Sequence, residues 1–279
     1  MQTTDQALIL PTRTPRRGAG SAALAQIRVL YALLLRDIRT RHGNTVLGYL
    51  RDLIQMPIVL AAMYIIFRAM GRQPPFGDSL LMFFATGVIP FYLVRHVAKK
   101  GQNAVKRAGQ FKMMLPVTPL DVALSGMIVD VITNVVVFVG FFTMMAVFEA
   151  SHYAVPYAPW AVVEGMFWLT VLAMGLGIIN SVISFYIASW PFFFNMAMRP
   201  LLLTSGLFFV AEEMPPVARD LLALNPILHG IAWVRTGFYQ TYPTFVLDKT
   251  YLVVWASLAL LLGLALDRAS RSAFGRRKV

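Results

Sequence analysis

Apolar residues in this chain come in long blocks, separated by short basic or proline-containing interruptions. The blocks 47–67, 80–97, 120–148, 160–189 and 251–266 are predominantly apolar, and about 20 such residues cross a hydrocarbon core as a helix. Pro57 predicts a kink in the first block. The second carries Gly87 and Pro90 and ends in Arg95, His96, Lys99 and Lys100. The third, at 29 residues, exceeds the bilayer thickness and predicts tilt or projection. In the fourth, Gly165, Gly175 and Gly177 permit close helix approach.

A further apolar segment, 190–235, is broken. Asn195, Arg199 and Pro200 interrupt the 20 residues from Phe192 to Ala211, and a charge there is costly unless it faces protein or water. The clean apolar part, 201–211, would rise only roughly 16 Å as a helix, about half a hydrocarbon core. Glu212, Glu213, Pro215 and Pro216 stop it, and Asn225-Pro226 starts a new helix with an N-cap residue and a proline at the first position. Ile227, Leu228, Ile231 and Val234 form one stripe of that helix, the pattern of an element lying against an apolar surface. The segment therefore predicts a fifth span that ends short, followed by helices returning along the outer face. Irregular backbone at membrane depth is tolerated only against protein or a water-filled cavity.

Residues 21–43 predict an amphipathic interfacial helix. Ile27, Leu30, Tyr31, Leu34 and Ile38 share one face, while Arg28, Arg36 and Arg39 gather on another. An anchor and a substrate guide are equally compatible with that pattern. Residues 1–20 have no apolar h-region, so no cleavable signal peptide is expected and they read as a flexible cytoplasmic tail. Residues 269–279 read as a basic cytoplasmic tail. The fold expected is all-α and integral to a membrane: six transmembrane helices over 44–268, the interfacial helix before them, and short periplasmic re-entrant or gate helices after the fifth span.

Composition agrees. The chain of 279 residues is 58% hydrophobic and 14% charged, with a mean hydropathy of +0.64. Soluble domains run near 45–50% apolar and about 25% charged. The formal net charge of +12 could suggest nucleic acid, but its placement argues otherwise. With both termini in the cytoplasm, eight Lys/Arg fall in 1–51, six in 95–112, one at Arg199 and five in 268–278, which is 20 of the 25. The positive-inside rule selects that topology and predicts no nucleic-acid partner. Trp160, Tyr153, Tyr157, Tyr239, Tyr242 and Tyr251 then form an outer aromatic belt.

Candidate chemistry is sparse. There is no cysteine, and His42, His96, His152 and His229 are scattered, so no metal site is expected. No phosphate-binding loop of the G-x-x-x-x-G-K-[ST] type and no G-x-S-x-G or H-E-x-x-H motif occurs. Any driving energy must come from another subunit or an ion gradient. Asp130 and Asn134 share a face of the third span, which suggests interhelical hydrogen bonding more than a proton relay. The loop after the second span holds Lys99, Lys100, Lys106, Arg107 and Lys112, then Met113, Met114 and Leu115. Topology explains its charge; the adjoining apolar residues suggest a docking surface for a protein partner. Tyr49, Phe83, Phe84, Phe91, Tyr92, Phe208 and Phe209 could offer flat faces for sugar rings or simply pack.

The run from Arg36 to Pro57, with Leu47-Gly48-Tyr49 leading into the first span, resembles the first block of ABC type 2 export permeases. Arg199 to Phe209, followed by Asn225 to Arg235, is similar to the second block, in the form found in capsular polysaccharide exporters of the Kps type. The resemblance runs from about Ala22 to Leu266. It implies a homodimer, each half paired with a separate cytoplasmic ATPase that binds ATP and Mg, while this chain binds no cofactor and is not an enzyme. It implies a coupling helix at about 101–114 seated in that ATPase through Phe111, Met113, Met114 and Leu115. Periplasmic gate helices would lie at about 212–240, with Asn225, Pro226, His229 and Arg235. A basic entrance of Arg28, Arg36, Arg39, Arg51, Arg95 and Lys99 would admit a lipid-linked, acidic polysaccharide. Tyr49, Phe83, Phe84, Phe91, Tyr92, Asp130, Asn134, Arg199 and Phe208 would line the channel at the dimer interface. The expected setting is the bacterial inner membrane, with a periplasm-spanning export protein and an outer-membrane exporter continuing the path. A same-fold permease for another cargo (O-antigen, teichoic acid or a small hydrophobic molecule) is the alternative. A membrane-embedded lipid or sugar transferase needs a His or carboxylate pair deep in the spans, and only Asp130 and Glu164 are offered, far apart.

Overall fold

The computed structural model describes residues 19–42, 46–109, 118–148 and 151–276. Ten α-helices and two short 3₁₀ turns make up the fold, with no strand among the described residues. In chain order the helices are α1 (Ala19–His42), α2 (Val46–Ala69), α3 (Leu80–Lys100), α4 (Ala104–Gly109), α5 (Pro119–Val147), α6 (Pro159–Tyr186), α7 (Trp190–Thr204), α8 (Pro216–Leu222), α9 (Pro226–Phe238) and α10 (Lys249–Arg276). A 3₁₀ turn, Gly101–Asn103, joins α3 to α4, and another, Ala211–Glu213, precedes α8.

Among the described residues, four helices are long and apolar enough to cross a bilayer: α3 with its 3₁₀ extension, α5, α6 and α10. The chain is a multi-pass membrane protein. The first expected span falls on α2, whose described apolar part, Ile54–Ala69, is shorter. The fifth falls on α7, which has 15 residues and rises about 22 Å.

Helix starts follow local chemistry. Thr118 and Asp121 form a capping box at α5: the Asp121 N–H donates to Thr118 Oγ1 at 3.3 Å, and the Thr118 N–H donates to Asp121 Oδ2 at 2.9 Å. Proline occupies the first position of α5, α6 and α9, where its missing N–H costs nothing. Ser79 caps α3.

α6 is the central helix, packed on α3, α9 and α10. Two of the glycines read as close-approach sites explain why. A Cβ at Gly175 would lie 2.5 Å from the Leu260 N of α10, and one at Gly177 would lie 2.5 Å from Met127 Cε of α5. Gly101 matches Gly177 from the other side, its hypothetical Cβ only 1.8 Å from the Gly177 carbonyl oxygen. Any larger residue there would push α6 away from the end of α3. Asn180 of α6 fastens the same junction: its amide donates to the Ala98 carbonyl at 3.0 Å and accepts from Trp190 Nε1 at 2.8 Å.

Three expectations are corrected. The apolar run 201–211 is not helical throughout: α7 stops at Thr204, and Gly206 turns the chain at φ 72°. α9 does not lie along a surface; from Ile227 to Val234 every side is buried, because α3, α6 and α10 enclose it. α8 is the surface helix, with no buried residue. Tyr239 and Tyr242 are interior, packed around Phe76, and do not join Trp160 and Tyr157 in an exposed belt. On α1 the side turned to protein holds Leu33 and Asp37, whereas Ile27, Tyr31 and Ile38 are exposed.

Candidate functional site

Two polar centres stand at opposite ends of the helix bundle. The first, at the basic end, is assembled by α1, α3, α4 and α5. Asp37 is the one acidic residue of α1, set among arginines, and it is buried against α5. Its carboxylate accepts from Ser125 Oγ at 3.1 Å and pairs with Arg36 at 2.8 Å and with Arg107 of α4 at 4.0 Å. Arg107 also donates to the Lys100 carbonyl at 3.2 Å, at the end of α3. Lys100 in turn reaches buried Asp130 of α5 at 3.9 Å. Gln26 of α1 donates to Asp121, so the capping carboxylate of α5 is shared with the interfacial helix. These links form a chain of charge from α1 through α4 to α5. Asp37 and Asp130 are tolerated at this depth because each meets a cation, and Asp121 because neutral donors satisfy it.

Beside this chain lies a cavity of about 510 Å³ between α2, α3, α4 and α5. Lys99, Lys100, Arg107 and His96 face Asp130 and Asn134 across it, with Gln55 and Met56 of α2 on one side. Asn134 does not bridge helices: its amide donates to the Asp130 carbonyl of its own helix at 2.8 Å. The interhelical bond expected of this pair comes from the Asp130 carboxylate alone.

The second centre, at the far end, is built around Arg235 of α9, which is 0% exposed. Its guanidinium donates to the carbonyls of Gly206 at 2.7 Å, Phe83 at 3.3 Å and Leu207 at 3.4 Å. It also meets Tyr242 Oη at 3.3 Å and Thr86 Oγ1 at 3.4 Å, and lies 3.9 Å over the Phe83 ring. Among the described residues its partners are all neutral. The broken stretch after α7 supplies two of them, the Gly206 and Leu207 carbonyls: where helical bonding stops, carbonyls become available to a planar five-donor fork. Asn225 closes the same corner. Its Oδ1 caps α9 through the Ile227 N–H at 3.0 Å, and its amide donates to Ser205 Oγ at 2.9 Å. His229 accepts from the Asp248 N–H at Nδ1, 3.1 Å away, and its Nε2 lies 2.7 Å from the Ala223 carbonyl, so Nε2 carries the proton.

A family model described as ABC-2 type transporter matches residues 28–239. The chain belongs to the ABC-2 type transporter family. Relatives of this ABC-2 chain include the "Polysialic acid transport protein KpsM" of Escherichia coli, 25% identical over 247 residues, covering 87% of this chain and 93% of that protein. The "Capsule polysaccharide export inner-membrane protein CtrC" of Neisseria meningitidis serogroup B is 23% identical, over 86% of this chain and 90% of the relative. "Capsule polysaccharide export inner-membrane protein BexB" of Haemophilus influenzae is 22% identical over the same shares.

Within this ABC-2 fold the residues singled out by sequence fall into distinct groups. Of the four gate residues, Asn225 and Arg235 meet at the break after α7, His229 ties Ala223 to Asp248, and Pro226 is the first residue of α9. Of the entrance set, Lys99 borders the cavity and Arg36 joins through Asp37. Arg95 lies 5.5 Å from the Tyr92 ring centroid, and Arg28 is exposed on α1. The side chains of Arg39, Tyr49 and Arg51 lie outside the described ones, as do Phe111, Met113, Met114 and Leu115. Phe83, Phe84 and Phe91 are buried in the core of the chain. Phe208 stacks on Phe67 at 5.5 Å, while Arg199 is exposed on α7. Sequence reasoning passed over Asp37 and Asp121. A lone carboxylate inside an arginine-rich helix was the available signal for Asp37.

Proposed function

We propose that this chain is the permease subunit of an ATP-driven exporter that moves lipid-linked, acidic capsular polysaccharide across the bacterial inner membrane. The observation that carries the reading is the match to capsule export proteins over nearly nine-tenths of the chain, on a family whose members are transport subunits paired with an ABC ATPase. Both termini are cytoplasmic in this reading, because that orientation puts the basic end inside. Two copies enclose the conduit, each seated on one ATPase that binds ATP and Mg. A periplasm-spanning export protein and an outer-membrane exporter receive the cargo.

The ion-pair chain supports a route for coupling. Movement of the segment at 101–114 by the ATPase displaces Arg107, and with it the links to Asp37 on the interfacial helix and to Lys100 on α3. The basic entrance draws a polyanion by long-range attraction. Charge reversal at both Arg39 and Arg95 tests the entrance: export of an acidic capsule is expected to drop, and unaltered surface capsule would refute it. Met113→Asp with Met114→Asp tests docking, with loss of the co-purifying ATPase as the expected result and its retention with normal export as the contrary one.

A further inference from the structure

We propose that Glu212 is the counter-charge of Arg235, and that the two pair across the small polar cavity at the far end with one water between them. A guanidinium cannot shed its charge, and a charge held out of water is costly unless an opposite one is near. Among the described residues, every hydrogen bond that Arg235 makes goes to a neutral oxygen. Those bonds satisfy its donors and leave its charge uncompensated. Among the described residues that line the space beside it, Glu212 is the one acid. That space measures about 10 Å³, room for one water, and Ser205, Tyr242 and the Glu212 carboxylate are the polar partners a buried water needs.

Local structure holds Glu212 in that position. It sits on the 3₁₀ turn Ala211–Glu213, between the break at Gly206 and the Pro215-Pro216 stop. Ala211 is buried and anchors the turn, Glu212 is half-buried and Glu213 is exposed, so of two adjacent carboxylates one is turned inward. Glu212 Oε1 accepts the Val246 N–H at 3.2 Å, which fixes its head against the stretch after α9. That bond accounts for the orientation but not for the charge, since a glutamine would make it equally well. Arg235 grips the start of the break through the Gly206 and Leu207 carbonyls, and Glu212 stands at its end. The pair therefore closes residues 206–212 into a loop. In apolar surroundings opposite charges attract far more strongly than in water. Glu212 is thus a positioning residue, acting through Arg235 on the irregular stretch.

The test uses the purified full chain in neutral detergent, with thermal unfolding and with hydrogen exchange over residues 205–214 read by mass spectrometry. Glu212→Gln keeps an acceptor for the Val246 N–H and removes only the charge. It is expected to lower the melting temperature by about 3 °C and to speed exchange over 205–214 about tenfold. Glu213→Gln, on the exposed neighbour, should change neither, and Glu212→Asp, which keeps the charge, should recover part of the loss. In an Arg235→Gln background Glu212→Gln should cost nothing, because a carboxylate without its cation is itself a burden there. The variants at 212 and 213 decide the matter even if no Arg235 variant folds. A silent Glu212→Gln would overturn the proposal, as would a loss of equal size with and without the charge at 235; either result reduces Glu212 to a hydrogen bond with Val246. No ATPase or polysaccharide enters the measurement, so its outcome is independent of the export reading.

Discussion

The two ends of the bundle solve the same problem, a cation held among apolar helices, in opposite ways. At the far end Arg235 is completely buried and its donors are spent on backbone carbonyls and hydroxyls from α3, the break after α7 and the stretch after α9. The space beside it is only about 10 Å³, roughly one water. At the basic end Lys100 and Arg107 meet carboxylates at 3.9–4.0 Å beside a cavity of about 510 Å³. Backbone dipoles cannot exchange partners without unfolding a segment, whereas side-chain ion pairs can. The far end is a rivet, and the basic end is a joint.

The comparison can be broken or sharpened by substitution. Arg235→Leu should be the most damaging, because it strands the carbonyls of Gly206 and Leu207 in the core. A loss of about 3–5 kcal/mol is expected, read by thermal unfolding in detergent. Arg235→Lys keeps the charge without the fork and should recover only part of that loss. A wild-type melting curve for Arg235→Leu would end the rivet description.

Smaller effects follow. Asp37→Asn should cost about 1–2 kcal/mol, since Arg36 and Arg107 lose a charged partner while the Ser125 hydrogen bond survives. If the joint description holds, this variant should lower export far more than it lowers the melting temperature. Asn225→Ala removes the cap of α9 and should cost about 1 kcal/mol. A double-mutant cycle of Lys100→Met and Asp130→Leu should give a coupling of only about 0.5–1 kcal/mol, because Lys100 is partly exposed and the pair is long. A value above about 3 kcal/mol would make the basic end as rigid as the far one.

The weakest expected effect is pH-dependent and belongs to the far end. Burial pushes the Asp78 carboxyl up, but hydrogen bonds from Ser151 Oγ at 2.5 Å and the His152 N–H at 2.8 Å outweigh it and hold its pKa below the ordinary 3.8. A depressed folded-state pKa contributes stability that is present above the unfolded value and lost as pH falls through the folded one. Unfolding measured from neutral pH down to about pH 3 should therefore show a small acid-side loss that Asp78→Asn removes. An unchanged acid limb in that variant would assign the loss to other carboxylates.

Much of this was legible in the chain. Long apolar blocks locate α3, α5 and α6 within a few residues, and the start of α10, because a helix in lipid must satisfy its own backbone and shows its length in the sequence; α10 continues past its apolar block to Arg276. The cap at Asn225-Pro226 was readable for the same local reason. The face of α1 was only half readable: its apolar stripe is real, yet it is turned away from the protein. Amphipathicity marks two faces without saying which one meets lipid.

The sequence by itself determined the class of protein, the number and order of apolar blocks, the concentration of positive charge at one end and the break after α7. Only the tertiary structure decided that Arg235 fills that break, that α9 is enclosed, and that Asp37, Arg107, Lys100 and Asp130 meet although up to 93 residues separate them. Span length and helix caps are local properties, written into adjacent residues. Which buried charge finds which partner depends on how the helices pack, and Gly175, Gly177 and Gly101 set that packing by allowing α6 to approach its neighbours.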